Sequence, residues 1–253
     1  MIFFIRLLPF GASLLVGYLF WYQRSQPVLY PWLVLLAVGL VPGAALAMSW
    51  GKVSRLDLLE KISPTFLLLA ALAFALVLIE GVGALWLLVL LAVVSTYLTL
   101  ELLFLMLYNP SAYPVNGLSR MNIAYVPLTV WYAISTSLGL TVFLHVNRLW
   151  HVALAAFLGG VLFRTTDHPG ATWKQNTVWM LIGLLLGLEV GWIALRLPIS
   201  FGMQGFIAAL LLTGALRARR YLYAPKPSRR FAWGEGIAVS AVFLASLITA
   251  RWL

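Results

Sequence analysis

Arg217-Ala218-Arg219-Arg220-Tyr221-Leu222-Tyr223-Ala224-Pro225-Lys226-Pro227-Ser228-Arg229-Arg230 carries six cations and no acid, and it lies between two long apolar runs, residues 198–216 and 236–252. Loops rich in Lys and Arg resist translocation during membrane insertion and stay cytoplasmic. A basic loop with an apolar run on each side therefore anchors the count of crossings. Working outward from it, nine apolar stretches are found: residues 2–22, 28–50, 62–80, 82–108, 122–145, 150–163, 176–195, 198–216 and 236–252. Taken alternately, one set of connecting pieces holds Arg6, then Lys52, Arg55 and Lys61, then Arg120, then Arg164 and Lys174, then the six cations of the basic loop. That is 13 of the 17 Lys and Arg residues. The other set holds Arg24, Arg148, Arg196 and Arg251, the remaining 4. This asymmetry predicts an all-α polytopic transmembrane bundle of nine spans, with the N-terminus cytoplasmic and the C-terminus external.

A hydrocarbon core of roughly 30 Å takes about 20 helical residues to cross. Open strands would leave backbone groups unsatisfied in lipid, so helices are the expected element. The sixth stretch is the shortest, and an eight-span alternative omits it. Every later loop would then change sides, with the six-cation cluster facing out, against the charge rule. Trp21, Tyr22, Tyr30, Trp32, Trp50, Trp150, Trp173, Trp233 and Trp252 lie near predicted ends, as an interfacial belt requires. The first stretch has no small-residue cleavage pattern before Arg24 and reads as a retained anchor.

Composition agrees. The chain is 63% hydrophobic and 9% charged, against about 25% charged residues in soluble domains. Residues 1–253 read as a single integral membrane domain, with no stretch polar and long enough for a soluble one. The net charge of +10 suits cytoplasmic loops facing anionic lipid, and no nucleic-acid partner is expected. Cysteine is absent from the sequence, which excludes thiolate chemistry and Cys-ligated metals. No predicted span holds a central lysine. Gly-x-Ser-x-Gly, His-Glu-x-x-His and Walker patterns are missing too. No catalytic residue, metal site or cofactor is expected.

Candidate polar positions inside the spans are few. Asn122, Tyr125, Thr129, Tyr132 and Thr136 recur at spacings of three and four, so they share one face of the fifth helix, with Gly139 continuing the row. Such a stripe serves either as helix–helix adhesion or as the wall of a hydrated cavity. Glu101 lies about two turns from the cytoplasmic end of the fourth span, with Tyr97 one turn earlier on the same face. Glu189 lies in the seventh span, with Arg196 seven residues on as an available partner. A carboxyl group at such depth needs a reason, and proton or ion coupling is one. Gly183, Gly187 and Gly191 form a small-residue row on the side of that helix away from Glu189, which predicts a central helix contacted on both sides.

Weaker signals complete the reading. The Leu-Glu elements around Glu80 and Glu189 hint at a duplication four spans apart. Pro42 and Pro127 predict kinks. His145 and His151 flank one turn without an acidic third ligand. Asp167 and His168 could form an acid–base pair for lipid chemistry, but Asp-His-Pro-Gly also reads as a turn. Arg217, Arg219, Arg220, Lys226, Arg229 and Arg230 are expected to contact anionic phospholipid head groups. Three classes of function follow. The leading one is a non-catalytic subunit or scaffold of a plasma- or inner-membrane assembly, with other membrane subunits as partners. A small permease using the intramembrane carboxylates is the alternative, and a lipid-modifying enzyme is third.

Overall fold

The computed structural model describes residues 2–166, 173–223 and 229–249. They form nine α-helices: α1 (Ile2–Ser25), α2 (Tyr30–Ser49), α3 (Arg55–Ala75), α4 (Val82–Tyr108), α5 (Gly117–Phe143), α6 (Arg148–Thr165), α7 (Trp173–Arg196), α8 (Phe201–Tyr223) and α9 (Arg229–Thr249). Each predicted span has its helix, and no strand occurs among the described residues. Among the described residues seven helices are long and apolar enough to cross a membrane; α6 is not one of them, and α9 contributes a shorter apolar stretch, Gly236–Ser246. The chain is a multi-pass helical membrane protein.

Helix ends depart from the apolar boundaries for local reasons. α3 begins seven residues before its apolar run, because the Ser54 side chain accepts from the Asp57 backbone N–H at 3.2 Å and Asp57 favours the first turn. α8 runs on through Tyr223 and α9 begins at Arg229. The basic segment is therefore largely two helix ends, not one long loop. Arg, Leu and Ala are good helix formers, and cations are favoured at a helix C-terminus.

Two compact units divide the chain, residues 1–125 and 126–253, and the boundary falls inside α5 beside Pro127. In the first unit α4 packs on α1, α2 and α3. It buries Leu85, Leu88, Val89, Ala92, Thr96, Leu100 and Leu103, a recurrence of three and four that puts one side inward. Gly17 lets α1 come down onto Val93 of α4. The loops of this unit bond within each end. At one end Arg24 donates to the Glu80 carbonyl at 2.7 Å. At the other, Lys52 donates to the Leu107 carbonyl at 3.3 Å and lies 3.4 Å over the Tyr108 ring.

In the second unit α6 and α7 run antiparallel in close contact. Val152 of α6 lies beside Gly191 of α7, and Phe163 beside Gly183. A Cβ placed on Gly187 would strike the Ala155 carbonyl and come within 2.9 Å of the Ala156 Cα. One placed on Gly159 would strike the Gly183 carbonyl. The glycine row of α7 thus meets a second small-residue row, Ala155, Ala156, Gly159 and Gly160, on α6. Backbone meets backbone, which is how helices adhere where lipid tails remove the hydrophobic drive. A similar close approach joins α5 and α8. Gly205 sits under the Trp131 carbonyl, and Trp131 Nε1 donates to the Gly202 carbonyl at 3.0 Å.

Candidate functional site

The hydroxyl stripe is buried and bonded into helix packing. Asn122 Nδ2 donates to the Lys61 carbonyl at 2.7 Å, and the Tyr125 hydroxyl donates to the Ser95 carbonyl at 3.1 Å. Beside them the Thr65 and Thr99 hydroxyls share a hydrogen bond of 2.8 Å between α3 and α4. These contacts join three helices of the first unit through carbonyls and hydroxyls. Two buried polar atoms, Thr96 Oγ1 and Asn122 Oδ1, have no hydrogen-bond partner among the described residues. Further along, Thr129 and Thr136 are buried, while Tyr132 is half-buried and stacks on Trp131. The stripe crosses the unit boundary at Pro127, so its two halves belong to different packing environments.

Glu101 has a counter-ion, which the spacing of residues within α4 does not reveal. Arg6 Nη1 of α1 lies 2.5 Å from Glu101 Oε1 and its guanidinium stands 4.8 Å over the Phe104 ring. Glu101 is 17% exposed and Arg6 49%. Tyr97, one turn earlier on α4, is exposed and makes no hydrogen bond to Glu101 among the described residues. The depth of the two ions was the available signal, since Arg6 begins α1 about 6 Å in and Glu101 lies about 10 Å from the end of α4. Which face of α1 meets α4 was not readable.

Glu189 behaves differently. It is exposed on α7 and has neither a hydrogen bond nor an ion pair among the described residues. Arg196 does not reach it; its guanidinium stacks 5.7 Å from the Trp192 ring. The expectation of a central α7 is met only in part: α6 and α8 both pack on it, but its acid-bearing face is exposed. The glycine row is covered by α6, but the acid side carries exposed Leu181, Leu185, Leu188 and Trp192. The duplication hint also fails, because Glu80 lies in the loop before α4 while Glu189 is mid-helix.

The basic cluster divides. Arg217 is exposed. Arg219 is only 4% exposed: Nη1 donates to the Phe163 carbonyl at 2.5 Å, Nη2 to Asn176 Oδ1 at 3.4 Å, and the guanidinium lies 4.9 Å from the Trp179 ring. Arg219 is therefore a buried staple from α8 to the ends of α6 and α7, not a surface cation. A carbonyl in the last turn of α6 needs a donor, and the negative end of the helix dipole favours a cation. Arg220, Arg229 and Arg230 belong to α8 and α9. Lys226, with Asp167 and His168, lies outside the described residues.

His151 is fully buried, with Nδ1 3.2 Å from Ser137 Oγ. His145 is exposed and takes a positive φ of 53° after α5. No group of three metal-ligating side chains occurs among the described residues. An apolar groove of about 690 Å³ between α1 and α2 is lined by Phe4, Leu8, Gly11, Leu36, Gly39 and Gly43 among others. It carries no ionisable side chain. The chemistry available to these sites is adhesion, charge neutralisation and one unpaired acid on an apolar face. Neither a family model, nor a curated protein, nor a solved structure matches the chain.

Proposed function

We propose that this chain is a non-catalytic subunit of a plasma- or inner-membrane assembly, with nine crossings, a cytoplasmic N-terminus and an external C-terminus. The observation that carries the reading is how the intramembrane polar groups are used. Glu101 is neutralised by Arg6, Asn122 and Tyr125 bond backbone carbonyls of neighbouring helices, and the remaining span carboxylate faces outward. A permease calls for an acid facing a polar-lined path. Instead, Glu101 and the stripe serve helix packing. The anionic leaflet is the expected partner of the exposed cytoplasmic cations, Arg217 among them.

Full crossing by α6 is supported by its pairing with α7. The helix is 18 residues long, about 27 Å, and lies antiparallel along a neighbour of spanning length. Single cysteines introduced into this cysteine-free chain test the arrangement in intact cells. Val146→Cys should react with an impermeant thiol reagent from outside, and Thr166→Cys only after permeabilisation. Labelling of both from outside would leave eight spans.

The functional reading is tested by purifying the intact protein in mild detergent. A membrane partner should stay with it at fixed stoichiometry through gel filtration. A lone, monodisperse protein that conducts protons in vesicles, and loses that flux in Glu101→Gln, would replace the subunit reading with a permease. The orphaned Thr96 and Asn122 atoms are the observation on that side.

A further inference from the structure

Ionisable side chains within membranes face a protein interior or a water-filled cavity, because lipid cannot solvate them. Glu189 breaks that rule within this chain. It lies seven residues from Arg196 and sixteen from Trp173, the two ends of α7. At 1.5 Å per residue this places it about 10 Å and 24 Å from the helix ends, inside a hydrocarbon core of roughly 30 Å. Its side chain is exposed, Arg196 is held on Trp192, and no other cation is paired with it among the described residues.

The surroundings of Glu189 have the form of a packing seam. Val178, Leu181, Leu185, Leu188 and Trp192 are all exposed and follow one another at intervals of three, four, three and four. That is the a/d spacing by which one helix receives another along its length. Glu189 sits at the edge of this seam, beside Leu188. The opposite side of α7 is already occupied by α6 through Gly183, Gly187 and Gly191.

We propose that the outward face of α7 binds a transmembrane helix of a partner subunit that carries Lys or Arg at the depth of Glu189. This rests on the assembly reading above and names what the assembly presents at this face. Charge complementarity selects the occupant. A purely apolar helix would fill the seam yet leave the carboxylate unpaired in hydrocarbon. A second copy in parallel orientation would bring Glu189 against Glu189.

The test uses the intact protein and two synthetic leucine-rich transmembrane helices in phosphatidylcholine vesicles. One helix carries a single Lys about 10 Å from its external end, and the other carries Leu there. Association is read by energy transfer between labels on protein and helix. The Lys helix should bind wild type about fivefold more tightly than the Leu helix, in the range of one interhelical polar contact. Glu189→Gln should erase that preference, and Glu189→Lys should transfer it to a helix bearing Glu. Equal binding of both helices to wild type overturns the proposal, as does a preference that survives in Glu189→Gln. Energy transfer between two labelled copies of the protein that is lost in Glu189→Gln also overturns it, in favour of self-association. The two readings fail separately: a co-purifying subunit with no Lys preference sinks the docking face alone. A Lys preference in a protein that purifies with no subunit sinks the assembly reading.

Discussion

Two rows of small residues at the same spacing meet opposite fates in this molecule. Gly183, Gly187 and Gly191 of α7 are buried against α6. Gly39, Gly43 and Ala47 of α2 line an open groove, and a Cβ added at either glycine meets nothing within 4 Å. A glycine row permits close approach but does not cause it. What differs is the helix opposite. α6 offers Ala155, Ala156, Gly159 and Gly160, so both backbones can come together. α1 lines the other groove with one small pair, Gly11 and Ala12, between Phe4, Leu7 and Leu8 on one side and Leu15 on the other, whose bulk stands along it. Adhesion in a membrane is a property of two matched surfaces.

The largest expected effect is at the closed row. Gly187→Ala should destabilise the protein by about 3 kcal/mol or more, because its methyl group meets backbone atoms that cannot rotate away. Reversible unfolding in detergent measures it, and a neutral result would mean that α6 and α7 are not held this closely. Arg219→Met comes next. It keeps much of the buried length but removes the donors to Phe163 and Asn176, and should cost about 2 kcal/mol. Its proteolysis pattern should show α8 released from the α6–α7 pair. The smallest effect has the opposite sign. Gly39→Ala at the open row should stabilise by about 0.5–1 kcal/mol, the ordinary gain of alanine over glycine in a helix. Equal costs at Gly39 and Gly187 would break the comparison.

Much of the architecture is legible in the sequence, and particular residues show where legibility stops. The apolar run at residues 82–108 coincides with α4, since a long uncharged stretch has one stable form in lipid. The Gly183 row was readable as a packing groove, but its partner was not singled out, although Ala155, Ala156, Gly159 and Gly160 carry the same spacing. Glu101 and Glu189 looked equivalent in sequence, being single acids in apolar runs. One is paired with Arg6 and the other is exposed on α7. Arg219 sits among six cations with nothing in the sequence to separate it, yet it is turned inward, against α6 and α7.

The sequence by itself determined helical, multi-pass architecture and which side chains share a helix face. Both follow from one-dimensional quantities, the length of an apolar run and a period of 3.6 residues. Tertiary structure alone decided what each face meets. It set Arg6 on Glu101, α6 in the glycine row of α7, Arg219 on the end of α6, and Glu189 on an exposed side. Rotating a helix about its axis changes none of the hydropathy that inserts it, but it changes every neighbour. That rotation is selected by shape and by hydrogen-bond partners on other helices, which lie up to 95 positions away in the chain for Arg6 and Glu101.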